Sequence, residues 1–129
     1  MNHIMNVYEQ MPQTLILSLV GMSVLDYIAG LLRALYDRKG NSKTHYKGLI
    51  KKLGIIIGVL LGAITDMAVS DGAPIFTSMI ILLFVSGEGL SIIENLAVMG
   101  VPLPQQLKDR LIQVQESEKE IFYKIVKLI

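Results

Sequence analysis

Three long apolar runs dominate the pattern along the chain, separated by one strongly basic segment and one short turn. The first extends from Pro12 to Leu32 and is interrupted by a single charge, Asp26. The second begins at Leu53 and continues to about Val69 with one charge, Asp66. The third begins at Ile75 and stays apolar to about Val101, apart from Glu88 and Glu94. About 20 mostly apolar helical residues cross the hydrocarbon layer of a bilayer, so the pattern predicts membrane spans over 12–32, 53–70 and 75–95. The punctuation agrees. Pro12 sits where a missing amide proton does least harm, the sequence SDGAP at Ser70 to Pro74 marks a tight turn, and Gly100 with Pro102 and Pro104 ends the last span.

Residues 104–129 follow a different rhythm. Leu107, Leu111, Val114, Glu118, Ile121, Ile125 and Leu128 are spaced by alternating fours and threes, a coiled-coil-like seam broken at Glu118. This predicts an amphipathic C-terminal helix that serves oligomerisation or lies on the membrane surface, where Phe122, Tyr123, Lys124 and Lys127 would suit it. The expected fold is therefore an all-α integral membrane protein, a single domain over 1–129. It has three transmembrane helices, a basic cytoplasmic loop over 33–52, and a cytoplasmic C-terminal helix, and it is expected to be oligomeric. Two alternatives stand beside it: a water-soluble helical bundle, and a third segment broken at Gly87 and Gly89 into a re-entrant hairpin.

Composition sharpens this picture. Of the 129 residues, 52% are hydrophobic and only 18% charged, against about 25% charged in an ordinary soluble domain. A disordered chain, a disulfide scaffold and a typical soluble enzyme are all poor fits. The net charge of +1 conceals unequal blocks. Seven basic residues (Arg33, Arg38, Lys39, Lys43, Lys47, Lys51, Lys52) crowd into 33–52, whereas 1–32 and 53–103 contain no Lys or Arg. Positive charge near span ends is retained in the cytoplasm, so the basic segment predicts an outside N-terminus and a cytoplasmic C-terminus. The absence of cysteine rules out an intrachain disulfide or thiolate metal site.

Within the spans, two sets of residues carry chemistry. Gly54, Gly58 and Gly62 recur every fourth position. In lipid, helices associate by close packing through small residues rather than by hydrophobicity, so this row predicts a helix-packing seam, within the chain or between subunits. The second set is polar: Asp26, Asp66, Glu88, Ser91, Glu94 and Asn95. A carboxylate at mid-membrane costs at least ~2.5 kcal/mol on insertion scales, and is tolerated where it faces protein or water. At 1.5 Å per residue, Asp26 lies roughly 10 Å from the cytoplasmic end of its span and Glu88 about 20 Å from the outer end of its own, which sets the two near one level. Asp66 falls near the outer surface and Glu94 at the cytoplasmic boundary. With no base inside the spans, these acids are expected to lack a basic partner and to line a pore or water path. The alternatives are an internal hydrogen-bond cluster and a proton relay.

Nothing in the chain calls for a catalytic set, a cofactor or a metal. His3 and His45 are isolated, and no nucleophile accompanies the acids. Anionic lipid accounts for the basic segment without nucleic acid.

The stretch SGEGLSIIENLAVMGVPLPQQLKDRL, residues 86–111, resembles the signature region of the phage lysis and toxin-secretion holin family: a Glu, then SIIEN, a Gly, and PLP before a Leu-rich helix. Asp26 with Gly30, the run NSKTHYKGLIKKLG and Asp66 add to the likeness. The resemblance implies a small protein of the host bacterial cytoplasmic membrane that assembles with copies of itself into lesions. Through these an endolysin or a toxin leaves the cell, without direct contact being implied. A small ion or metabolite carrier and a structural subunit of a larger membrane assembly are the rival readings.

Overall fold

A computed structural model describes the backbone of residues 2–38 and 42–128, and the side chains of 13–38 and 45–128. The side chains of His3, Pro12 and Lys43, and all of Lys39 and Ile129, lie outside the described residues.

Four helices make up most of the described chain: α1 Asn2–Asp37, α2 Ser42–Val69, α3 Ile75–Val98 and α4 Gln105–Leu128. Three segments are long and apolar enough to cross a membrane, Gln13–Asp37, His45–Val69 and Ile75–Val98. Their large apolar side chains, among them Leu17, Leu25, Ile57, Leu61 and Ile64, point outward. That arrangement is costly in water and natural in lipid, because the hydrocarbon then covers what a soluble fold would bury.

The helices differ from the expected boundaries in two places. The segment 33–52 is not a loop: α1 continues to Asp37 and α2 begins at Ser42. Arg33, Lys47, Lys51 and Lys52 therefore belong to helices, where a charged head does not stop a helix and a long stem can lie along apolar neighbours. Likewise α1 runs through Pro12 to Asn2. The third segment is one unbroken helix through Gly87 and Gly89, so it is not a re-entrant hairpin.

α3 is the centre of the bundle, with α1, α2 and α4 packed on it and α1 barely touching α2. Its buried core is small: Leu19 of α1, Ile55 of α2 and Ile81 of α3, with Leu15, Val59, Phe84 and Val85 around them. At its end, Gly100 adopts φ +79°, with Val101 N donating to Leu96 O and Gly100 N to Ala97 O. This is the paired bonding that closes a helix on a left-handed glycine. The turn sends α4 back along α3: Leu111 reaches Gly89, Gln115 reaches Gly87, and Ser117 and Glu118 line one open cleft with Leu82.

The C-terminal helix thus does not extend freely. Leu111, Val114 and Ile125 of its expected seam are half-buried, whereas Leu107, Ile121 and Leu128 remain exposed. The seam meets α3 of the same chain because two glycines on α3 leave room for Leu111 and Gln115.

Candidate functional site

Three polar side chains from three helices converge inside the bundle. Lys52 Nζ of α2 donates to Asp26 Oδ2 of α1 at 3.1 Å and to Glu88 Oε2 of α3 at 2.9 Å. Glu88 is 2% exposed. The expectation that the acids lack a basic partner is therefore corrected for Asp26 and Glu88. The reason is local: α2 is already helical at Lys52, one residue before the expected start of its span, and the side chain lies at the level of both acids.

Two carboxyl groups face one ammonium. The remaining oxygens, Asp26 Oδ1 and Glu88 Oε1, are buried and accept no hydrogen bond among the described residues. With all three groups ionised the cluster carries one net negative charge.

Two helical turns further along, Arg33 Nη1 donates to Asn95 Oδ1 at 3.1 Å and Arg33 Nε lies 3.7 Å from Asp37 Oδ2. These groups line an open cleft of about 400 Å³, together with Tyr27, Gly30, His45, Lys52 and Ser91. The stripe Glu88, Ser91, Asn95, one face of a helix at i, i+3, i+7, thus turns into the protein and toward this cleft. Glu94 is exposed on the other side.

Asp66 has a separate task. Its Oδ1 accepts from Phe76 N at 2.9 Å, and its Oδ2 from Thr77 N at 2.9 Å and Thr77 Oγ1 at 2.7 Å. The first turn of a helix leaves amide donors without partners. Pro74 at the start of α3 has no side-chain cap of its own, so a carboxylate from the preceding helix supplies it. The turn makes this possible: Asp71 and Gly72 take φ +51° and +82°, bringing α3 back against Asp66.

The glycine row divides. A Cβ at Gly62 would lie 2.9 Å from Ile80 Cδ1 and 3.2 Å from Thr77 Cα, and one at Gly58 3.0 Å from Phe84 Cε2. Gly54 faces open space. Gly58 and Gly62 therefore seat α2 on α3 of the same chain, and that face is already occupied.

Sequence reasoning missed Lys52, Arg33 and Thr77. The apolar runs hid them, because the first two sit at span edges and the third forms its contact through a turn.

Among the described residues no group of His, Asp and Glu could hold a metal ion. The molecule is thus a membrane-type bundle built around an internal ion cluster, and comparison with known proteins gives it a family. The model of the Bacteriophage holin family matches residues 3–116, and the chain belongs to that family, one of membrane proteins rather than enzymes. A probable holin of Bacillus phage phi105 is 31% identical over 100 residues, 77% of this chain and 72% of that protein. The uncharacterized protein YqxH of Bacillus subtilis is 35% identical over 103 residues, 79% of this chain and 71% of its own. An uncharacterized 14.9 kDa Clostridium perfringens protein is 29% identical over 103 residues, 80% and 78% of the two chains. No solved structure matches. The family and the three apolar helices point to the cytoplasmic membrane, with a functional link to lysis.

Proposed function

We propose that this protein is a holin that collects as a homo-oligomer in the cytoplasmic membrane and opens lesions through which an endolysin, or a toxin, crosses. The match to the holin family over residues 3–116 carries this reading. The physical layout supports it: outward apolar helices suit lipid, while the ionised groups gather inside one chain. Single chains can then accumulate without harm, and damage requires many copies to rearrange together.

The whole chain acts as one membrane domain, with three spans. The basic residues at the α1–α2 junction face the cytoplasm by the positive-inside rule, so the N-terminus and the Ser70–Pro74 turn lie outside and the Gly100–Pro104 turn lies inside. The endolysin is a functional partner that uses the lesion, and direct contact with it is not implied. Asp26, Glu88, Ser91 and Asn95 fix the closed bundle through Lys52 and Arg33, and the cleft lined by Asp26, Ser91 and Asn95 is the route by which water first reaches the span interior. Inducible expression in a bacterial host tests the reading. A membrane-impermeant dye should enter abruptly after a delay, and gradual or saturable uptake of one solute would instead indicate a carrier.

A further inference from the structure

α4 holds charge where lipid would have to cover it. Ser117 and Glu118 line one open cleft with Leu82, which is seven residues, about 10 Å, from the outer end of a helix long and apolar enough to cross the membrane. Along the face of α4 turned away from α3, Asp109, Gln113, Glu116, Glu120, Lys124 and Lys127 recur at steps of four and three, and all six are exposed. Glu120 and Lys124 pair with each other at 3.2 Å while each stays about 70% exposed. Lipid cannot cover such a row, since each ionised group at hydrocarbon depth costs several kcal/mol. The outer faces of α1 and α2, by contrast, present Leu17, Leu25, Ile57 and Leu61. The bundle therefore has lipid-type sides and one charged side.

We propose that in the assembled lesion α4 remains docked on α3 within the bilayer and forms the wall of the water-filled opening, its charged row facing the lumen and the same rows of neighbouring copies. This rests on the holin reading and assigns the lumen to α4 rather than to Asp26 and Glu88, which stay inside each chain. Asp109, Glu116 and Glu120 lead the row and Lys124 and Lys127 end it, so the wall presents both signs of charge to water.

The chain has no cysteine, so spin labels can be placed at will. The full-length protein is reconstituted in liposomes carrying an entrapped dye. Ser78→Cys and Lys124→Cys report the distance between α3 and α4. Glu116→Cys, Glu120→Cys and, as a lipid-facing reference, Leu61→Cys report access to a water-soluble relaxing agent against oxygen. With leakage occurring, the proposal expects a 78–124 separation typical of adjacent packed helices, whose axes lie about 10 Å apart. It also expects aqueous-type relaxation at 116 and 120 but not at 61. Leakage with separations of about 30 Å, the thickness of the hydrocarbon layer, or with lipid-type relaxation at 116 and 120, overturns it while leaving the holin reading intact. Intact liposomes holding inserted protein overturn the holin reading itself.

Discussion

Lys52 Nζ and Glu88 Oε2 lie 2.9 Å apart, 36 positions apart in sequence, and the same ammonium reaches Asp26 Oδ2 at 3.1 Å. One cation thus ties together three helices, of which α1 and α2 hardly touch directly. Removing it leaves two carboxyl groups facing each other with no counterion. Lys52→Met should lower stability in detergent by about 2 kcal/mol, the scale of hydrogen bonds to charged groups. Adding Asp26→Asn should recover part of that loss. Denaturant titration followed by circular dichroism checks both, and the double mutant should be more stable than Lys52→Met alone.

Asp66 caps a helix that is not its own. Asp66→Ala removes three accepted hydrogen bonds at the start of α3 and should cost about 1–2 kcal/mol, the upper range for loss of a cap. Asp66→Asn keeps one acceptor oxygen and should cost less. The same titration ranks them, with wild type first, Asn second and Ala last.

The glycine row should respond unevenly. Gly62→Val meets Ile80 and the Thr77 backbone, and Gly58→Ile meets Phe84; overpacking of this kind costs about 1–3 kcal/mol. Gly54→Ala meets nothing and should be neutral or slightly stabilising. In cells, Gly58→Ile should delay or abolish lysis at equal membrane expression, while Gly54→Ala should keep wild-type timing. Lysis timed against immunoblotted membrane fractions distinguishes them.

At the other end of α3, Gly89→Val would drive a methyl into Leu111, whose Cδ1 already lies 2.9 Å from a Cβ built there. Undocking of α4 should follow, read as faster proteolysis after Lys108 and Arg110 in detergent, with α1–α3 left intact.

Much of this architecture was legible in the residues. The three apolar runs, the Ser70–Pro74 turn and the stop at Gly100 are local signals that tertiary context does not override. Depth counting puts Asp26 and Glu88 at one level, where the structure has them sharing Lys52. What the pattern does not reveal is direction around each helix. Lys52 reads as part of a basic connector because nothing nearby in sequence marks its inward turn. The fours and threes of α4 read equally as a seam for another chain or for α3, because a helix presents the same stripe to either. Only Gly87 and Gly89, small at the positions where Gln115 and Leu111 arrive, decide it.

The most direct test of the account is release of a folded cytoplasmic enzyme from cells expressing this chain alone. Activity measured in the medium should stay at background while the protein accumulates in the membrane, then rise abruptly within a single culture. An intact culture retaining its enzyme, with the protein demonstrably inserted at the same level, would contradict the account.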